Sequence, residues 1–138
     1  MLETALREDA LTTTPGGFEL RIGLPWIRSM PLSSVVGIEV EVEGIRVAPG
    51  ELSVVLGGRR VPPDSLQGES GWWFVQDRLV LAGRRELGRG SHGVAVDFRL
   101  LVPYLQARPG SPLILPFHLG ARLELDRPPV PSVSLDVA

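Results

Sequence analysis

Apolar and polar residues alternate along much of this chain with a period of two. "GFELRIGL" places Phe18, Leu20, Ile22 and Leu24 on one side and Glu19 and Arg21 on the other. "GIEVEVEG" alternates Ile38, Val40 and Val42 with Glu39, Glu41 and Glu43. "GVAVDFRLLV" sets Val94, Val96, Phe98 and Leu100 against Asp97 and Arg99, and "ARLELD" repeats the pattern on a smaller scale. Successive side chains of a strand point to opposite faces, so the pattern predicts half-buried strands with one face on a core and one in water. "ELSVVL", "RRV", "GWWFV" and "RLVLAG" are shorter candidates. Turn signals separate them at Glu43-Gly44, Gly57-Gly58, Gln76-Asp77 and the glycine-rich "LGRGSHG". The scatter of 16 Gly and 13 Pro leaves no room for a long helix, and only "ETALRED" and "PDSLQ" fit a short helical turn. About seven to eight short strands with frequent turns predict an all-β fold, an antiparallel β-sandwich of the immunoglobulin-like kind. Residues 1–126 form the single sandwich domain. Residues 127–138, "RPPVPSVSLDVA", read as an extended, proline-rich C-terminal arm lying against a partner or an edge strand.

One stretch breaks the alternation. "IGLPWIRSMPLSS", residues 22–34, is too proline-broken for a helix and too apolar for an ordinary loop. Ile22 and Leu24 close the first strand, and Pro25 ends its ladder because it has no N–H to donate. Pro31 pre-sets the backbone before the next strand. Between the prolines, Trp26 and Met30 are predicted to be partner-facing anchors. Arg28 is expected to pair with a carboxylate or with backbone carbonyls across an interface. In "GWWFV" one tryptophan lies on the outer surface, as a contact residue or under the cover of a loop or the C-terminal arm, and alternation alone does not say whether it is Trp72 or Trp73. Trp73 joins Trp26, Arg28, Met30 and Pro31 in the predicted contact set at a partner interface or active-site mouth.

A chain of 138 residues fits one domain with a real core. With 43% apolar and 22% charged residues, its composition is globular. The net charge of −2 gives no nucleic-acid footprint. All 14 basic residues are Arg, which fits a GC-rich genome first and a need for planar, bidentate contacts second. The absence of Cys excludes disulfides, thiolate metal sites and a cysteine nucleophile. No run reaches the length of a membrane span, and "MLETALREDALTTT" has no apolar signal core. A cytoplasmic location is the expectation.

Several motifs tempt without carrying chemistry. "GRGSHG", residues 88–93, spells G-x-G-x-x-G, but a strand follows where a dinucleotide site needs a helix N-terminus. It reads as a hairpin loop that needs positive φ. His92 and His118 show no metal-ligand spacing. Ser33, His92 and Asp97 can be drawn as a triad, without a nucleophile elbow to support it. Arg84, Arg85 and Arg89 crowd one hairpin, either as a solvated turn or as a dock for an acidic partner. No catalytic residue is assigned to this chain.

The order of the pieces carries a resemblance. A first strand leads into "LPWIRSMPLSS". Then come "VEVEG", the tryptophan strand "GWWFV", the glycine-rich "LGRGSHG", and "VAVDFRLLVPYL", a long strand ending in tyrosine. Over residues 18–104 this resembles the small β subunit of the bacterial C-glycoside deglycosidases. That family usually has Tyr in the aromatic slot and Gly after the Arg; here Trp26-Ile27 and Ser29 stand there. The resemblance implies a hetero-oligomer with a metal-dependent TIM-barrel α subunit. That subunit would cleave 3-oxo-C-glycosides of flavonoids or other aryl groups by β-elimination. The divalent metal, typically manganese, would polarise the sugar oxygens on the α subunit. No cofactor is expected in this chain, whose role would be to stabilise the α subunit and wall its active-site mouth. The competing reading is a stand-alone carbohydrate-binding or interaction module, with Trp26 and Trp72 or Trp73 as a sugar platform. A hydrolase built on Ser33, His92 and Asp97 ranks behind both.

Overall fold

The computed structural model describes residues 5–137, with the side chains of Pro103, Tyr104, Gln106 and Ala107 outside the description. Eleven strands occur among the described residues: β1 (Leu11–Thr14), β2 (Gly17–Gly23), β3 (Met30–Pro31), β4 (Val35–Val42), β5 (Ile45–Arg46), β6 (Leu52–Leu56), β7 (Arg59–Val61), β8 (Trp72–Trp73), β9 (Arg78–Gly83), β10 (Ser91–Arg108) and β11 (Ser111–Glu124). One sheet has the order β1-β2-β9-β6-β7 and the other β11-β10-β4-β5, while β3 and β8 form a separate two-stranded ribbon. All paired strands are antiparallel. The two orders reproduce the ABED and GFCC′ sheets of an immunoglobulin-type sandwich. The count exceeds the expected seven or eight because β3, β5 and β8 are only two residues long.

The alternating segments form strands where predicted, and their apolar faces meet between the sheets. Phe18, Leu20 and Ile22 of β2 oppose Val40 of β4 and Val96, Phe98 and Leu100 of β10, all at 2% exposure or less. β9 lacks clean alternation because both its faces are covered: Leu79 and Leu81 lie on one, Val80 and Ala82 on the other, and all are buried. At Gly83 the Phe18 ring occupies the space a Cβ would take, so only glycine lets β2 and β9 close there. β11 begins earlier than "ARLELD" indicated and takes in Pro112 and Pro116. It is an edge strand, and an edge tolerates prolines whose missing N–H faces away from the ladder.

"PDSLQ" lies in a 3-10 turn, Pro63–Gly68. In "ETALRED", Glu3 and Thr4 lie outside the described residues, and residues 5–9 form turns and bends rather than a helix. No helix among the described residues is long and apolar enough to cross a membrane.

The C-terminal arm folds back on its own chain, and not on an edge strand. Its end lies against β9, a central strand: the Arg78 amide donates to the Leu135 carbonyl at 2.9 Å, and the Val137 amide to the Arg78 carbonyl at 3.0 Å. Arg21 Nε donates to Asp136 at 3.0 Å. Further back, the buried Asp9 carboxylate accepts from Arg78 Nη1 at 3.0 Å and from the Val130 amide at 2.9 Å. Burial by itself pushes the Asp9 carboxyl upward. The Val130 amide and the charges of Arg78 and Arg7 outweigh it and hold the group below the usual aspartate range.

This clasp has a pH signature. A lowered folded-state pKa gives stabilisation that is complete above the unfolded value, about 3.9, and lost as pH falls through the lower folded value. Urea unfolding followed by tryptophan fluorescence is expected to show stability retained from pH 7 to about pH 5 and falling below about pH 4. Asp9→Ala, which leaves Arg78 with a buried charge uncompensated, is expected to cost about 3 kcal/mol at pH 7 and to flatten the acid dependence. An unchanged urea midpoint would remove the clasp from the account of stability.

Candidate partner interface

Residues 24–34 carry the chain from one sheet to the other at a single end of the sandwich. β2 ends at Gly23 opposite Arg78, and β4 begins at Val35 opposite Leu100. Pro25 follows the end of β2, as its missing N–H requires. The connection is then pinned by the 71–77 segment. Met30 pairs with Trp73 and Pro31 with Trp72. The Leu32 amide donates to the Gly71 carbonyl at 3.0 Å, and the Val75 amide to Ser29 Oγ at 2.8 Å.

That pairing sorts the predicted contact residues. Trp73 and Met30 are both fully buried in the chain's own core. Met30 as a partner-facing anchor and Trp73 as a member of the contact set are therefore corrected: the ribbon turns them inward together, because directly opposed residues of an antiparallel pair share a face. The Trp73 indole N–H donates to the Asp77 carbonyl at 3.0 Å, which satisfies its polar edge inside the fold. The outward tryptophan is Trp72, 48% exposed. Trp26 and Pro31 are half-buried, and Arg28 is exposed.

An aromatic row runs from the core to this rim. Trp73 packs against Phe98 with ring centroids 5.9 Å apart, Phe98 stacks on Phe117 at 5.5 Å, and Phe117 meets Trp26 edge-on at 6.4 Å. Four residues absent from the predicted set join the rim: Ile27 (65% exposed), Trp72, Phe74 and Val75. Alternation in "GWWFV" does place Trp72 and Phe74 on one face; what the sequence lacked was the cross-strand partner that says which face.

The other candidates separate. His92 Nε2 contacts the Gly88 carbonyl at 2.6 Å, whereas Asp97 accepts from His118 Nδ1 at 2.6 Å on the outer face of the second sheet. Ser33 sits just before β4, whose first residue pairs with Leu100, about 26 Å along β10 from His92. No triad is assembled. Among the described residues no group of three or more His, Asp and Glu gathers to hold a metal ion. Asp97 and His118 supply two donors where such a site needs three or four. Arg84 Nη2 donates to the Gly50 carbonyl, and Arg85 donates to the carbonyls of Ile45 and Arg46. Arg84 and Arg85 thus fasten neighbouring loops, and Arg89 is exposed. The "GRGSHG" loop turns at Gly90, φ 107°, straight into β10, as its glycines predicted.

The opposite roles of the two neighbouring tryptophans are testable. Trp73→Ala is expected to destabilise the fold by about 3–5 kcal/mol through the cavity it leaves. Trp72→Ala is expected to stay within about 0.5 kcal/mol of the parent chain. Chemical denaturation of both variants checks this, and equal losses would overturn the sidedness.

The family described as C-glycoside deglycosidase beta subunit matches residues 3–104. A C-glycoside deglycosidase beta subunit of Arthrobacter globiformis is 29% identical over 103 residues, covering 72% of this chain and 79% of the relative. A 3'-dehydrocarminate deglycosidase beta subunit of Microbacterium sp. is 29% identical over 113 residues, covering 80% and 85%. A C-glycoside deglycosidase beta subunit of Microbacterium trichothecenolyticum is 30% identical over 103 residues, covering 72% and 78%. A match over most of the chain, on a sandwich with an apolar end, places it: this chain belongs to the C-glycoside deglycosidase β-subunit family.

Proposed function

We propose that the chain is the non-catalytic β subunit of a heteromeric C-glycoside deglycosidase that cleaves the carbon–carbon glycosidic bond of 3-oxo-C-glycosides. The observation that carries this reading is the family match across residues 3–104. On this reading the partner is a TIM-barrel α subunit carrying a divalent metal, manganese by resemblance, and the complex works in the cytoplasm. A ketone at sugar C3 acidifies the C2 proton. Removal of that proton lets the C1–carbon bond to the aglycone break by β-elimination, which makes the enzyme a lyase. One relative is named for a 3'-dehydro substrate, the oxidation level this elimination needs. Flavonoid and other aryl C-glycosides are the proposed substrate class.

The β subunit's part is to stabilise the α subunit and to wall its active-site mouth with Trp26, Arg28 and Pro31. Excluding water there would strengthen every electrostatic interaction in the site. No acid–base or metal step is assigned to this chain. The stand-alone sugar-binding module gains less support. Trp26 is half-buried against Phe117, so it and Trp72 do not form an open aromatic platform.

The test is to purify the α subunit with and without this chain and to measure turnover of a 3-oxo-C-glycoside. Activity and solubility are expected to fall at least tenfold without the β subunit and to return on its addition. An α subunit that is fully active, soluble and stable alone would overturn the proposal.

A further inference from the structure

Most of the large apolar side chains left exposed among the described residues gather at one end of this molecule; Ile45 and Val133 are outside that set. Ile27 (65%), Trp72 (48%), Phe74 (48%), Val75 (45%) and Leu135 (70%) come from three segments far apart in sequence. Hydrogen bonds join those segments. The Val75 amide reaches Ser29 Oγ at 2.8 Å, the Asp77 amide reaches the Phe74 carbonyl at 2.9 Å, and the Leu135 amide reaches the Asp77 carboxylate at 3.2 Å. All three lie at the end of the sandwich where Gly23 meets Arg78 and Val35 meets Leu100.

β10 and β11 run on past the same end as a two-stranded extension. It reaches roughly 15 Å beyond Leu100 and carries Leu105 and Ile114, 40% and 49% exposed. Ile45, equally exposed at 65%, follows β4 at the opposite end and is isolated.

The charge pattern singles out the same end. Residues 22–36, 70–76 and 100–117 contain Arg28 and Arg108 as their only formal charges, and the acids that border them are engaged within the chain, Asp77 by the Leu135 amide and Asp136 by Arg21. The five rim side chains leave on the order of 500 Å² of apolar surface open. That is the upper range for a free monomer. With the extension added, it approaches the roughly 800 Å² per partner of a standard interface. Charge depletion with aromatic and Arg enrichment is the composition of an interface core. Sugar sites need hydrogen-bonding side chains beside their aromatics, and this rim offers few.

We propose that this end, from Ile27 across Trp72 and Phe74 to Leu135, is the face on which the deglycosidase α subunit seats. The complementary surface is apolar, with a carboxylate at its edge facing Arg108. The assignment rests on the β-subunit reading above, and it adds the surface.

Three proteins test it: the parent chain, Trp72→Ser/Phe74→Ser, and Ile45→Ser as the control at the far end. Each is mixed with the cognate α subunit, and the dissociation constant is measured by calorimetry. Circular dichroism and thermal melting check that the variants fold. The double variant is expected to bind at least 100-fold more weakly, and Ile45→Ser within threefold of the parent. Hydrogen–deuterium exchange on the parent complex needs no variant to fold. It is expected to show protection at residues 26–32, 71–77 and 133–137 and none around Ile45. A folded double variant that binds like the parent, or protection confined to the Ile45 end, overturns the surface while leaving the subunit reading intact. A parent chain that does not bind the α subunit at all overturns both. If the double variant instead abolishes self-association of this chain, or binding of a free sugar, with α binding unchanged, the occupant is wrong and the proposal falls.

Discussion

Two backbone pairings decide what one end of this sandwich presents: Met30 with Trp73, and Pro31 with Trp72. Opposed residues of an antiparallel ribbon share a face, and neighbours along a strand take opposite faces. Once Met30 and Trp73 turn inward, Trp72 turns outward. The buried Trp73 then packs on Phe98, which begins the row through Phe117 to Trp26. The core and the rim at this end are therefore one structure. A slip of one residue in the ribbon would bury Trp72, expose Trp73 and leave the Phe98 ring with Phe117 as its remaining aromatic neighbour.

The same end is tied to the C-terminal arm through adjacent residues. The Asp77 carbonyl receives the Trp73 indole, and its carboxylate receives the Leu135 amide. Arg78 pairs its guanidinium with Asp9 and its backbone with Leu135 and Val137. The arm thus serves the fold twice. It covers the outer face of β9, where Val80 is buried, and it sets Leu135 beside the aromatic ribbon. Buried charge at Asp9 is tolerable only because its lone pairs are taken by Arg78 and the Val130 amide.

How much of this was legible in the sequence depended on whether one strand alone held the information. β2, β4 and the first half of β10 alternate because one face meets the core and the other meets water, so their inward residues could be read directly. β9 could not be read so cleanly, since the arm buries its second face and erases the alternation. The first half of β11 was missed because Pro112 and Pro116 look like breakers until the strand is known to be an edge. Met30 sat between prolines with no alternation to orient it. "WW" is symmetric under a period of two, so only its partner strand could choose between Trp72 and Trp73. Ile27 and Leu135 carry no local mark of exposure; their placement follows from hydrogen bonds to residues about 46 and 58 positions away.

An exposed apolar surface has value to a partner only if holding its shape costs little at the moment of binding. Here the shape is held in advance. Ser29 fixes the turn beside Ile27, Gly71 holds Leu32, and the buried Trp73 anchors the strand that carries Trp72 and Phe74. The ordering entropy of these segments is met by folding rather than by association, which is how preorganisation raises affinity at a fixed contact area. Most of the charge is kept elsewhere. Glu39, Glu41, Asp97 and Arg99 stand on the outer face of the second sheet, and the Arg85 loop closes the far end on the Ile45 turn. A rigid, charge-poor end opposed to charged, solvated faces suits a seat held for the life of a complex better than a brief encounter, because permanent interfaces resemble a domain core cut in half.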